Sequence, residues 1–182
     1  MPKLFLIVLV VLSLSARAGF NEGLVAFERG DYSTAMDNWH PLAEKGIAIA
    51  QNNLGVMFDH GLGVEENDKM AVAWYRKAAD KGNAQAQYSL GLMYGNGHGV
   101  TEDDRAAVKW YRLAAEQGSK NAQFHLALVY DFGEGVKEDD SVAAQWYQKA
   151  AELGDFRAQY NLALLYDFGN GVPKNPAKAA QW

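Results

Sequence analysis

Four tryptophans recur at one fixed spacing, and this spacing constrains the fold more than any other feature. Trp74, Trp110, Trp146 and Trp182 lie 36 residues apart at every step. Self-similarity with a period of about 20 to 50 residues is typical of proteins whose copies pack mainly on their neighbours. The period therefore predicts a solenoid, in which function belongs to an extended surface.

Each repeat carries the pattern of two helices. Ala86, Leu90 and Tyr94 are four residues apart, the spacing of one face of a first helix, which we call helix A. A second apolar face, in a second helix called helix B, consists of Ala71, Trp74, Tyr75, Ala78 and Ala79. These patterns predict an all-α fold, an α/α superhelical solenoid of about four and a half helix–turn–helix repeats of 36 residues.

Glycine and capping residues mark the turns between the helices. The sequence Gly-x-Gly-Val follows helix A in all four copies, first at Gly61 and Gly63, which predicts a loop with unusual backbone angles. The residue after Leu54 in helix A is always small, Gly or Ala, which predicts close helix packing. Helix B is expected to end at glycines such as Gly82. Its predicted N-caps are Asn67, Asp103, Asp139 and Asn175.

The period divides the chain into six segments. We predict a signal peptide at 1–18, a divergent or capping repeat at 19–49, repeat 1 at 50–85, repeat 2 at 86–121, repeat 3 at 122–157 and an incomplete repeat 4 at 158–182. The last unit stops inside its helix B, at Trp182. We therefore expect the apolar surface of repeat 4 to be exposed, as in a fragment or a truncated product.

The N-terminus has the features of a secretory signal. Lys3 is followed by an apolar run over 4–14, which is too short for a bilayer, and then by Ala16-Arg17-Ala18, a small-x-small cleavage pattern. We predict cleavage near Ala18 and export of the mature chain, which is then periplasmic or secreted. No later segment is apolar enough to span a membrane.

Composition excludes some partners and sites. Cysteine is absent, which excludes disulfides and thiolate metal sites. Removal of Lys3 and Arg17 would leave 15 basic and 22 acidic residues, a formal charge of −7. Binding of nucleic acid requires clustered basic residues, so this charge argues against it.

The repeat resembles a known family. The pattern A-x-x-x-L-[GA]-x-x-[YF]-x-x-G-x-G-V-x-x-[DN]-x-x-x-A-x-x-W-Y-x-x-A-A-x-x-G is similar to the Sel-one-like repeat, a relative of the tetratricopeptide repeat, from about Phe20 onward. The resemblance implies a scaffold for protein complexes, often in bacterial envelopes. Some secreted, cysteine-rich members are associated with weak penicillin binding or hydrolysis, but this chain has no cysteine.

Residues with catalytic or metal-binding potential do not form a recognisable motif. His40, His60, His98 and His125 neither recur at the repeat spacing nor form His-Glu-x-x-His. Acidic clusters after the loops, such as Glu102-Asp103-Asp104, are explained by helix capping. We therefore predict no enzyme, no cofactor and no metal.

The side of helix A opposite its core stripe is the predicted binding surface, the concave groove of a tetratricopeptide-like superhelix. At 100° per residue, aromatic and aliphatic side chains fall in its middle. An exposed apolar groove would bind a peptide or a partner helix, whereas the alternative is that these side chains only pack between successive A helices. The groove residues are Asn52, Val56, Gln85, Tyr88, Leu92, Asn121, Phe124, Leu128, Asp131, Arg157, Tyr160 and Leu164.

Binding is therefore the predicted function. The chain is expected to be an exported scaffold or adaptor that holds a protein or peptide partner, with Tyr88, Phe124 and Tyr160 as anchors and Asp131 and Arg157 as polar determinants. One alternative is an envelope protein that weakly binds or hydrolyses β-lactams, which the resemblance suggests. The other is a structural protein that binds cell-wall glycan through its aromatic residues.

Overall fold

The computed structural model describes residues 14–182, which fold into ten helices without a β-strand. Each helix packs against the helices that precede and follow it, so this part of the chain is a series of helical hairpins. The predicted all-α solenoid is confirmed. The helices are α1 (Leu14–Glu28), α2 (Tyr32–Glu44), α3 (Ala48–Asp59), α4 (Asp68–Ala79), α5 (Ala84–Asn96), α6 (Asp104–Glu116), α7 (Lys120–Phe132), α8 (Asp140–Glu152), α9 (Phe156–Phe168) and α10 (Pro176–Ala179).

Helices α3, α5, α7 and α9 are the A helices, and α4, α6, α8 and α10 are the B helices. Helices α1 and α2 form a preceding hairpin in the segment predicted as a divergent repeat. Most of the predicted signal peptide, residues 1–13, lies outside the described residues. None of the helices within 14–182 combines the length and the hydropathy needed to cross a bilayer.

The predicted N-caps of helix B are confirmed. The side chains of Asn67, Asp103, Asp139 and Asn175 each accept a hydrogen bond from the backbone amide three residues further on. Helix A has a second set of caps, which the sequence analysis did not identify, at Asn83, Ser119 and Asp155. In repeats 2 to 4 both helices therefore begin at a residue that caps them by a local hydrogen bond, whereas α3 begins after Ile47, which has no such side chain.

The glycines of the loops take up left-handed backbone angles, as predicted. In the loop after α5, φ is 69° at Gly97 and 68° at Gly99. A Cβ atom at Gly99 would lie 2.5 Å from the backbone of Asp68, the first residue of α4. Gly99 is therefore required both by its φ angle and by close contact with the preceding repeat.

The tyrosine of each Trp-Tyr pair is more deeply buried than the tryptophan. Tyr75, Tyr111 and Tyr147 are 1%, 5% and 0% exposed, whereas Trp110 and Trp146 are only partly buried. A Cβ atom at Gly91 would lie 2.6 Å from the Tyr111 ring, which explains the small residue predicted at this position of helix A. Helix A therefore contacts helix B most closely at the ring of this tyrosine.

Buried glutamines join successive repeats, and the sequence analysis did not predict this role. The Nε2 atoms of Gln51, Gln87 and Gln123, each near the start of an A helix, donate to backbone carbonyls at the end of the preceding helix, which is α2, α4 and α6 respectively. The distances are 2.9, 3.1 and 3.1 Å. The same carbonyls also accept from the backbone amides of the glycines that end the turn, so each glutamine adds a bond between successive helical hairpins.

Repeat 4 exposes apolar side chains, as expected. Phe156 and Tyr160 are 77% and 65% exposed, and Trp182 is 37% exposed. Helix α10 has four residues, compared with 13 in α6 and α8. The core face of α9 is nevertheless covered, since Ala158 and Leu162 are 0% and 1% exposed, so the exposure is confined to the side of α9 that carries Phe156 and Tyr160.

Candidate functional site on the helix A face

Equivalent residues of neighbouring A helices lie side by side. Arg157 Nη2 is 3.4 Å from Oδ1 of Asn121, which precedes it by 36 residues. The rings of Tyr88 in α5 and His125 in α7 are 5.4 Å apart between centroids. The predicted groove residues lie on these neighbouring A helices and on α3, and we call the side of the helices on which they stand the helix A face. Its residues are Asn52, Val56, Gln85, Tyr88, Leu92, Asn121, Phe124, Leu128, Asp131, Arg157, Tyr160 and Leu164.

An aliphatic row runs along this face. Val56, Leu92, Leu128 and Leu164 stand at the same position of the four A helices, 36 residues apart. All four side chains are half-buried, so part of each remains accessible. A row of accessible aliphatic groups, one per repeat, is a surface on which an apolar segment of a partner can pack.

The aromatic position of the face has a different environment in each repeat. Phe124 is 7% exposed, Tyr88 is half-buried and Tyr160 is exposed. The prediction that Phe124 faces solvent is wrong, because the Arg157 guanidinium lies 4.1 Å from the centroid of its ring and the side chain belongs to the core of repeats 3 and 4. Asn52, at the equivalent position of repeat 1, was also predicted to face solvent and is likewise buried, at 7% exposed.

Asn52 and Phe124 therefore agree with the alternative stated above, in which these side chains pack between successive A helices. Tyr160 has the opposite environment because no A helix lies beyond α9 in the described chain. The accessible part of the face consists of the aliphatic row with Tyr88, Tyr160 and the exposed polar residues Gln85 and Asn121.

The two predicted polar determinants are engaged within the chain. Asp131 Oδ2 accepts a hydrogen bond of 2.8 Å from the Tyr147 hydroxyl. Burial raises the pKa of Tyr147, and the hydrogen bond to Asp131 and the charge of that carboxylate raise it further. Arg157 pairs with Asp155 at 2.7 Å, and this hydrogen bond lowers the pKa of Asp155. A role of Asp131 and Arg157 in partner specificity stays a prediction.

His125 lies at the centre of an aromatic cluster that the sequence analysis did not identify. Its ring is 5.4 Å from each of the Tyr88 and Tyr111 rings and 5.6 Å from the Phe124 ring. Burial lowers the pKa of His125 to about 4, and the nearby positive charge of Arg157 also lowers it. The imidazole is consequently neutral at neutral pH.

Within residues 14–182, no three or more histidine or acidic side chains are grouped in a way that could hold a metal ion.

The repeats match one sequence family. The model of the Sel1 repeat matches residues 48–83, 84–119, 120–155 and 156–182. The chain belongs to the Sel1 repeat family. Each matched unit begins two residues before the unit read from the sequence and keeps the same period of 36 residues. The α1–α2 hairpin precedes the matched region. The comparison with curated proteins finds no match.

Two solved structures of Sel1 repeat proteins are similar to this chain. A protective antigen of uropathogenic Escherichia coli strains, described as an SLR fold, is 41% identical, with a TM-score of 0.87 over 92% of this chain and 37% of that one. A Sel1 repeat protein of Oxalobacter formigenes is 42% identical, with a TM-score of 0.83 over 87% of this chain and 65% of that one. The present chain is thus shorter than either of these proteins.

A third, more distant structure shares the fold alone. The cysteine-rich protein B of Helicobacter pylori is 24% identical, with a TM-score of 0.52 over 61% of this chain and 86% of that one. The present chain contains no cysteine, so its repeats are held together without disulfides. Sel1 repeat proteins generally act as scaffolds for protein–protein interactions, and their structural relatives are generally not catalytic.

Proposed function

We propose that this Sel1 repeat protein is an exported, non-catalytic scaffold that holds a peptide or protein segment along its helix A face. The observation that carries this proposal is the aliphatic row of Val56, Leu92, Leu128 and Leu164, which repeats in register and remains partly accessible. Partly exposed apolar rows are typical of interaction surfaces. Tyr88 adds an aromatic group beside the row, and aromatic residues are common anchors at interfaces.

Site-specific photo-crosslinking tests the location of the binding surface. A photoreactive amino acid replaces Leu128 in one variant and Lys109, on the exposed side of α6, in a matched control. Irradiation in intact cells should give adducts at position 128 and none at 109. Adducts at 109 with none at 128 would place the interaction on the B helices and refute binding along the helix A face.

Export is supported by the sequence of the N-terminus, in which an apolar run precedes Ala16-Arg17-Ala18. Cleavage after Ala18 would leave Phe20, whose carbonyl accepts a 3.1 Å hydrogen bond from Trp39 Nε1, in the mature chain. Mass spectrometry of the protein expressed with its native N-terminus should show a chain that begins at Gly19. An intact chain that starts at Met1 and stays in the cytoplasm would contradict export.

A binding role also predicts that purified protein does not hydrolyse nitrocefin above the rate of buffer. Turnover that is proportional to protein concentration would favour the β-lactam alternative.

A further inference from the structure

The buried tyrosines of the repeats differ in one respect. In repeats 1 and 3 the tyrosine hydroxyl donates to a carboxylate of helix A, from Tyr75 to Asp59 Oδ2 at 3.0 Å and from Tyr147 to Asp131 Oδ2 at 2.8 Å. In repeat 2 the position of the carboxylate is occupied by Gly95. Tyr111 is only 5% exposed, yet its hydroxyl has no hydrogen-bond partner among residues 14–182.

The missing side chain at Gly95 leaves a cavity of about 220 Å³. A Cβ atom at Gly95 would lie 3.6 Å from the Tyr111 hydroxyl oxygen, so that hydroxyl points into the space which an aspartate fills in repeats 1 and 3. Sites for drug-sized ligands are about 300 to 1,000 Å³, so this cavity suits a group no larger than one side chain. Its polar lining comes from Asn96, Asp104, Tyr111, His125 and Glu134.

This lining is negative and rich in hydrogen-bond acceptors. Asp104 and Glu134 contribute carboxylates, and no lysine or arginine lines the cavity. Glu134 stands where repeats 1, 2 and 4 have Leu62, His98 and Asn170, so the acidic group is particular to the loop that borders this cavity. The pKa of Tyr111 is raised first by burial and then by charges that include those of Glu134 and Asp104. The neutral imidazole of His125 offers a further acceptor nitrogen.

We infer that this cavity binds the ammonium or guanidinium group of a lysine or arginine side chain from the bound partner. The inference rests on the proposed function, because it assigns a specific contact to a partner held on the helix A face. The cation would donate hydrogen bonds to the Tyr111 oxygen and the His125 imidazole and would pair with Glu134. A carboxylate in the same place would be repelled by Asp104 and Glu134.

The test measures binding of single amino-acid derivatives to the full chain by backbone amide NMR. Nα-acetyl-arginine amide and Nα-acetyl-lysine amide are titrated, with Nα-acetyl-citrulline amide as the neutral equivalent of arginine and Nα-acetyl-glutamate amide as the anion. The cationic probes should give saturable shifts at Gly95, Tyr111 and His125, with a Kd on the order of 1 mM for so few contacts. The citrulline and glutamate probes should give none.

Two variants locate the site. Gly95→Asn places a neutral amide in the cavity, where its Cβ fits at ordinary contact distances, and should abolish the shifts. Glu134→Gln should weaken binding of the arginine probe about fivefold by loss of one ion pair, whereas Glu138→Gln, an exposed residue outside the cavity, should not. Gly95→Ala serves as a control for the backbone change at this position.

Absence of saturable shifts with both cationic probes, unchanged binding in Gly95→Asn, or preferential binding of the glutamate probe would overturn the inference. Because these probes are independent of the partner, partner crosslinking at position 128 can persist while the inference fails. If the probes bind but Gly95→Asn leaves crosslinking of the partner unchanged, the cavity takes a free cation and the assignment to a partner side chain is wrong.

Discussion

Phe124 and Tyr160 occupy the same position in successive repeats but have opposite environments. The Phe124 ring lies under the Arg157 guanidinium and 6.0 Å from the Tyr147 ring, whereas Tyr160 is 65% exposed. The contribution of this position to stability therefore depends on the repeat that follows it. The two residues form a natural pair for measuring that dependence.

We predict that Phe124→Ala lowers the free energy of unfolding by about 3 to 5 kcal/mol, because truncation of a buried phenylalanine leaves a cavity. Tyr160→Ala, at the exposed position, should lower it by less than about 1 kcal/mol. Chemical denaturation followed by circular dichroism measures both values. Equal losses in the two variants would mean that Phe124 is not held in the core as described.

The buried histidine predicts a pH dependence of stability. The pKa of His125 is lowered to about 4 in the folded chain, below its ordinary value of 6.5, so the unfolded chain binds more protons between these pH values. The contribution of neutral His125 to the free energy of unfolding should therefore be fully present above pH 6.5 and should be lost as the pH is lowered toward 4. Each unit of pKa difference corresponds to about 1.4 kcal/mol.

His125→Asn should remove this part of the pH dependence, since asparagine occupies the same position in repeats 1 and 4, at Asn53 and Asn161. The pKa of Asp155 is also lowered, by its hydrogen bond with Arg157, so a further loss at more acidic pH should remain in both proteins. Thermal melts between pH 4 and pH 7 compare the two chains. Identical pH profiles would exclude His125 as the titrating group.

At the scale of the elements, the loop between helix A and helix B sets the distance between repeats. Gly99 lies against the first residue of α4, so the loop of repeat 2 packs directly on the start of helix B in repeat 1. Gly97 has the same kind of φ angle but more room, because its added Cβ would meet Glu102 only at 3.4 Å. A substitution at Gly97 therefore tests the free-energy cost of the left-handed backbone angle alone, whereas one at Gly99 adds the cost of a steric contact.

We predict that Gly97→Ala costs about 1 to 2 kcal/mol, the penalty for a non-glycine residue with left-handed angles. Gly99→Ala should cost clearly more, because its Cβ would also push the backbone of Asp68 away. Urea denaturation of the two variants and the unchanged protein gives the comparison. A loss at Gly99 no larger than that at Gly97 would show that the repeats can separate at this contact without strain.

At the scale of the whole molecule, each repeat contacts only its neighbours, so stability is distributed along the chain as a series of nearest-neighbour terms. Helices α5 to α8 have a hairpin on each side, whereas α9 packs on α8 and on the short α10. Backbone amides should therefore be better protected from hydrogen exchange in α5 to α8 than in α9.

We predict that amide hydrogens of α9 and α10 exchange faster with solvent than those of α6 and α7, since the end of a solenoid opens at lower free energy than its middle. Hydrogen exchange detected by mass spectrometry measures the gradient. Helix α5, which has a hairpin on each side and in which Leu90 is 0% exposed, is expected to be protected and serves as the internal control. Uniform protection from α6 to α10 would contradict a stability gradient of this kind.

Several features could be predicted from the sequence because they depend on interactions within one repeat. The N-caps Asn67, Asp103, Asp139 and Asn175 bond to amides three residues away, and the loop glycines need left-handed angles regardless of the rest of the molecule. The 36-residue period similarly fixed the order of the helices, because each helix carries its own apolar face.

Burial along the helix A face could not be predicted in this way. Whether Phe124 is covered depends on Arg157 in the next A helix, α9, and the orientation of Gln123 depends on a carbonyl of the preceding helix B. The replacement of aspartate by Gly95 is visible in the sequence, but its consequence, a Tyr111 hydroxyl that faces the cavity without a hydrogen-bond partner in the described chain, depends on how close α5 lies to α6. Helical periodicity gives the direction of a side chain on its own helix, whereas contact between repeats determines what that side chain meets.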